Sequence, residues 1–117
     1  MNPPVRVVNE TNGVTLAADG EMAVAFGARL RGLLGRDRLP AGGGLVLPGC
    51  SMIHMFFMRF PLDVLFLDAE HRVCSLRTAL KPWAVAWGGF RARDTIELPV
   101  GAIAETGTQK GHVVRWE

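Results

Sequence analysis

The spacing of apolar and polar positions changes along the chain, and each change marks an element. Val5 to Val8 is a short β-branched run, and Val14 to Ala17 is a second one. Asn12-Gly13 between them is a hairpin signal, so the two runs read as a first antiparallel pair. The period then lengthens. Met22, Phe26, Leu30 and Leu33 follow at helical spacing, with Asp19 placed to cap the start, Glu21 in the first turn and Gly35 to end it. This pattern predicts a helix over about residues 21–34 that covers one face or end of a sheet. Pro40 to Gly44 is a loop, and Leu45 to Leu47 is a short buried strand.

Ser51 to Asp68 is the most apolar stretch, yet it carries His54, Arg59 and Asp63. Ile53 to Phe60 has apolar side chains on both faces, as a strand buried on both sides would. Strand alternation puts His54 and Arg59 on opposite faces. Pro61 requires a bend or bulge. Leu62 to Leu67 resumes as a strand, with Asp63, Leu65 and Leu67 on one side. Asp68 to His71 is a tight turn, and Val73 to Thr78 is the returning strand. Lys81 to Gly89, with Pro82, Trp83 and Trp87, reads as a loop or short helical turn forming a stiff, partly apolar surface segment. Thr95 to Leu98 alternates as a strand, Gly101 to Gly107 holds one helical turn, and Val113 to Trp116 is the last strand. Many short strands and one helix predict a mainly β fold, a compact barrel or jelly-roll-like β-sandwich with one covering α-helix at about 21–34. No repeat or linker divides residues 1–117, so a single domain is expected.

Composition narrows the class without naming a function. The chain has 117 residues, 49% of them hydrophobic, which argues against disorder. No apolar run reaches the ~20 residues of a membrane-spanning helix, and residues 1–4 do not open a secretory signal. A cytoplasmic location is therefore expected, with Cys50 and Cys74 as free thiols. Arg29, Arg31, Arg36 and Arg38 gather in sequence while the formal net charge is only +2. No aromatic residue interleaves with them, so a solvated helix face is preferred. Weak nucleic-acid binding through Arg29 to Arg38 remains the lesser alternative. Gly42 to Gly44 lacks a following Lys-Ser/Thr pair, so it is not a phosphate loop. No cofactor motif is present, and none is expected.

The order of several motifs resembles one family. Ile53-His54 followed by Phe57-Met58-Arg59-Phe60-Pro61-Leu62-Asp63-Val64-Leu65-Phe66-Leu67-Asp68 is similar to the core signature of the family called domain of unknown function 192. Arg29 with Gly32-Leu33-Leu34-Gly35-Arg36, Pro82-Trp83, and Ile96-Glu97-Leu98-Pro99-Val100-Gly101 resemble its flanking segments. The resemblance implies a mainly β barrel or sandwich with a packed helix, and no established activity. Two departures stand out. His71 replaces the usual turn glycine, and Gly111-His112 stands where the family often has Gly-Asp. His tolerates positive φ better than most residues, so the turn can survive.

Asp63 is the most informative single residue, because a carboxylate inside an apolar strand must be paired or hydrogen-bonded. It reads either as an acceptor of backbone N–H bonds or partner of Arg59 or Arg29, or as a general acid/base. His54 is the second catalytic candidate. His54, Arg59, Asp63, Arg29, Glu97 and Trp83 form the candidate ligand-binding set, and convergence of His54 with Arg59 and Asp63 requires a bulge. Cys50, His54, His71 and Cys74 have zinc-like spacing, but His71 is needed in a turn and Cys74 in a strand, so no metal is expected. The reading that results is a non-catalytic β-domain binding a small polar ligand or a protein partner. The alternative is a hydrolase-like enzyme using Asp63, His54 and Arg59.

Overall fold

The first hairpin forms where the alternation places it. The structure is a computed structural model, and it describes residues 2–23 and 36–117. In it β1 (Pro4–Asn9) pairs antiparallel with β2 (Val14–Met22). Asn9 shapes the turn by accepting the N–H groups of Thr11 and Asn12 on its Oδ1, and Gly13 takes φ 76°.

Further along, β2 departs from the helical pattern. Asp19 to Met22 pair in parallel with Gly43 to Val46 of β3 (Gly43–Leu47). Asp19 is therefore a strand residue and not a helix cap, and Glu21 and Met22 end the strand. Pairing on both sides, with β1 and with β3, overrides the weak strand preference of Asp-Gly-Glu. The rest of the helix expected over residues 21–34, apart from Ala23, lies outside the described residues.

The remaining elements are β4 (Met52–His54), β5 (Leu62–Leu67), β6 (Val73–Leu80), β7 (Val85–Trp87), β8 (Asp94–Leu98), the short helix α1 (Ala102–Thr106) and β9 (Val114–Trp116). Among the described residues seven strands form one sheet in the order β6-β5-β8-β3-β2-β1-β9, while β4 and β7 form a separate two-stranded ribbon. Two expectations change here. Ile53 to Phe60 is not one strand, because Met58 N–H closes a turn onto the Met55 carbonyl (3.2 Å) and Phe57 sits at φ 64°. The loop or short helical turn expected over Lys81 to Gly89 contains β7.

The sheet curls because all seven of its strands feed one core. Val7, Leu16, Val46, Leu65, Val73, Ile96 and Val114 are buried in a single cluster, together with Ile103 of α1. The first and last strands of the sheet approach each other at one end. Arg72 and Val113 form a bridge there, Val73 N–H donates to the His112 carbonyl (2.8 Å), and Gly111 N–H donates to the Val73 carbonyl (2.8 Å). The result is a mainly β half-barrel with a seam. Its other face carries a second cluster, in which Leu45, Leu47, Val64 and Phe66 pack under Ile53 and Ala86 of the ribbon. All six residues of β5 are buried, as a strand packed on both faces requires.

Gly88 shows how closely the ribbon approaches the sheet. A Cβ there would stand 2.4 Å from Cγ of the buried Phe66 ring and 2.7 Å from Ala92 Cβ. The ring is fully enclosed and cannot yield. Gly88→Ala is expected to lower stability by about 2–3 kcal/mol through overpacking, read as a fall in the urea midpoint at unchanged slope. An unchanged midpoint would show that the ribbon can lift off the sheet at no cost.

Candidate functional site

The ribbon presents two chemically different faces. Ile53 and Ala86 point inward and are buried, while Met52, His54, Val85 and Trp87 point outward and are exposed. The turn after β4 and the turn before β7 extend the outward face. Met55 binds them together, since its carbonyl accepts both Met58 N–H (3.2 Å) and Trp83 N–H (2.7 Å). Lys81 to Ala84 is a turn with Pro82 at its second position and Trp83 at its third, where φ is 73°. That position ordinarily takes glycine. Phe57 holds the corresponding place in its own turn. Two aromatic residues in left-handed backbone cost about 1–2 kcal/mol each, and neither is repaid by burial.

Their rings face solvent. Phe57 is 70% exposed, Trp83 57% and Phe90 90%. His54, Phe56, Trp83 and Phe57 form a continuous line, with ring centroids 4.8, 6.0 and 4.7 Å apart. Trp87 meets Phe90 edge-on at 4.7 Å and 90°. His54 Nδ1 accepts the Phe56 N–H (3.2 Å), which fixes the ring and leaves the proton of neutral imidazole on Nε2. Basic groups border this face. Arg77 donates to the Trp87 carbonyl (3.1 Å), Arg93 donates to the Phe90 carbonyl (3.0 Å), and Lys81 precedes the Trp83 turn.

The candidates singled out in the sequence separate in space. His54 and Trp83 share the aromatic face. Arg59 is exposed and pairs with Asp37 at 2.9 Å. Asp63 is buried on the opposite side of the sheet, among the residues that pack with Ile103. Its Oδ1 accepts Ala79 N–H (2.9 Å), and its Oδ2 accepts Gly101 N–H (3.1 Å) and Ile103 N–H (2.9 Å). The carboxylate thus holds both a bulge in β6 and the start of α1. No cluster of His54, Arg59 and Asp63 forms, because the chain turns at Met55 to Met58 and enters a different sheet at Leu62. Arg29 and Arg31 lie outside the described residues. Arg36 pairs with Glu21 at 3.2 Å, and Arg38 borders a cavity of ≈ 690 Å³ that also holds Glu105.

Glu97 is buried in β8 between Leu45 of β3 and Val64 of β5. Among the described residues its side chain has no hydrogen-bond or ion-pair partner. Burial alone pushes its carboxyl up to about 7. The residues with zinc-like spacing serve different partners. Cys50 Sγ donates to the Met52 carbonyl, while His71, at φ 61°, stacks on Trp116 at 4.4 Å. Among the described residues no three His, Cys, Asp or Glu side chains gather as metal ligands would. His112 accepts Gln109 N–H on Nδ1 (3.3 Å), which is hydrogen bonding that a carboxylate could also supply.

Sequence reasoning passed over Met52, Phe56, Phe57, Val85 and Phe90 as parts of a site. The available signal was the number of large apolar residues within turn sequences, at Phe56-Phe57 and at Gly89-Phe90.

These features describe a mainly β fold with an exposed aromatic face, in which His54, Arg59 and Asp63 stand apart. The chain belongs to the DUF192 family, described as Uncharacterized ACR, COG1430, whose model matches residues 7–116. A UPF0127 protein of Thermococcus gammatolerans is 34% identical over 115 residues, 95% of this chain and 74% of its own length. UPF0127 protein PH1112 of Pyrococcus horikoshii is 32% identical over 114 residues, 94% of this chain and 97% of its own. A crystal structure of a protein of unknown function from Novosphingobium aromaticivorans superposes with a TM-score of 0.82 at 21% identity, covering 98% of this chain and 85% of that one. That likeness concerns the fold alone. Among the described residues no helix is long and apolar enough to cross a membrane.

Proposed function

We propose that the chain is a non-catalytic binding module, acting as one domain in the cytoplasm, whose aromatic face takes an apolar segment of a protein partner. One observation carries the reading. Phe57, Trp83 and Phe90 stand in solvent beside Met52, Val85 and Trp87, and two of these residues are held there in strained backbone. Exposed apolar patches of this kind mark interaction surfaces, and Trp, Phe and Met are enriched in the cores of interfaces.

A protein segment suits the face better than a sugar does. Neighbouring rings along the line tilt by 34°, 34° and 57°, so they form ridges and slots and not a flat stacking shelf. Arg77, Lys81 and Arg93 at the border favour acidic residues flanking the apolar ones in the partner. The two free thiols support the cytoplasmic placement.

Selection from a displayed peptide library tests the reading. Acidic segments with spaced large apolar residues should be enriched, and their binding should shift Trp83 and Trp87 fluorescence. Phe57→Gly with Trp83→Gly removes both rings and both backbone strains. The double variant should bind about 30-fold more weakly or worse while keeping or raising its melting temperature. Enrichment of no sequence class, or binding that survives the double variant, sinks the proposal.

A further inference from the structure

Independently of the aromatic face, we infer that the seam of the half-barrel holds a binding site for a phosphoryl dianion. Arg72 from the turn before β6, Arg91 from the loop before β8 and Lys110 from the turn before β9 line one cavity of ≈ 410 Å³. They come from three separate stretches of chain, so the fold and not a local charge run brings them together. Like charges so placed repel one another unless a counter-charge arrives. Among the described residues none of the three side chains has an ion-pair or hydrogen-bond partner.

Asp68 is the one carboxylate among the described residues of the cavity wall, and it is already engaged. Its Oδ1 accepts Glu70 N–H and Arg72 N–H at 2.9 Å each, as part of the turn. Three cations against one carboxylate leave a net charge of +2 at the cavity, equal to the formal net charge of the whole chain. The rest of the protein is balanced, and the excess is concentrated here. A phosphate ester or free phosphate is a dianion near neutral pH, and its oxygens suit charge-assisted bonds from two guanidinium groups and an ammonium.

Cys74 lies in the same cavity and reports on it. Burial first, and then the charge of Asp68, hold its thiol above the ordinary value against the smaller opposing pull of Lys110 and Arg91. The position also has a structural consequence. Arg72 and Lys110 stand on the two sides of the seam, at the Arg72–Val113 bridge and next to the Gly111–Val73 hydrogen bond. A dianion between them fastens the two ends of the sheet.

The test follows alkylation of Cys74 by iodoacetamide in a Cys50→Ser background, by mass spectrometry. Inorganic phosphate and ribose 5-phosphate are titrated separately at constant ionic strength made up with chloride. Either anion should slow alkylation saturably, and the tighter of the two identifies the source as free phosphate or an ester. Arg91→Gln and Lys110→Gln, both at exposed positions, should each raise the half-saturating concentration about tenfold. Arg115→Gln, remote from the cavity, should leave it unchanged. The inference is overturned if neither anion slows alkylation more than chloride does. It is also overturned if the slowing survives the Arg91→Gln/Lys110→Gln double variant.

Discussion

Asp63→Ala is expected to lower the stability of the protein by about 4 kcal/mol, a larger effect than any other single substitution considered for this fold. The side chain is 1% exposed and accepts three backbone N–H bonds. Alanine leaves all three donors without a partner in a region too enclosed for easy hydration, and each such donor costs about 1–3 kcal/mol. The loss does not stay local. Ala79 sits strained at φ 49° in the bulge of β6, and Gly101 at φ 96° opens α1, so two left-handed points of the backbone lose the group that holds them. Asp63→Asn should recover only part of the loss, because its NH2 must face at least one of the three N–H donors.

At this chain length 1 kcal/mol corresponds to roughly 4 °C, so the alanine variant should melt about 15 °C lower. A catalytic carboxylate behaves in the opposite way, since its replacement ends turnover and leaves the melting temperature nearly unchanged. A melting temperature within about 2 °C of the parent would remove the bracing role assigned to Asp63.

Glu97 produces the second large effect, visible only as a function of pH. Its carboxyl is raised from 4.5 to about 7 by burial. Below pH 4.5 it is protonated in both the folded and the unfolded chain and contributes no pH dependence. Between pH 4.5 and 7 the unfolded chain loses the proton while the folded chain keeps it, so stability falls as pH rises. Above 7 both forms are ionised and the penalty is complete, at about 3 kcal/mol.

Glu97→Gln removes the ionisation and keeps the shape. Relative to the parent, the variant should gain nothing at pH 4.5 and below, progressively more as the pH rises from 4.5 to 7, and about 3 kcal/mol by pH 8, measured by urea unfolding at each pH. A stability difference that does not change with pH would mean that Glu97 meets a compensating charge in solution.

The sequence carried the strands well where alternation and turn chemistry agreed. Val5 to Val8, Val14 to Ala17, Leu62 to Leu67, Val73 to Thr78 and Thr95 to Leu98 are strands in the structure, and the helical turn within Gly101 to Gly107 is α1. It carried less where long-range pairing decided the outcome. Asp19-Gly20-Glu21 has little strand preference, yet β1 and β3 hold it extended from either side. Ile53 to Phe60 reads as a strand buried on both faces because apolar residues dominate it. No residue in it signals that Phe57 turns the chain at positive φ.

The polar candidates illustrate the same limit. Asp63 and Glu97 are both carboxylates in apolar strands, and nothing local to either says that one meets three N–H donors and that the other, among the described residues, meets none. The aromatic face was hidden for a related reason. Exposure depends on which partner a strand finds, and β4 pairs with β7 and not with the sheet.

The seam also bears on the order in which the chain can be made. Of the strands in this sheet β9 is the last to leave a ribosome, and it covers the edge of β1 that β2 leaves free. Val114 completes the core that all seven sheet strands share, and the residues just before it fasten the turn ahead of β6. During synthesis the outer edge of β1 therefore remains open until nearly the whole sheet has emerged. Such late, non-local closure slows folding and leaves an unpaired edge exposed on the nascent chain.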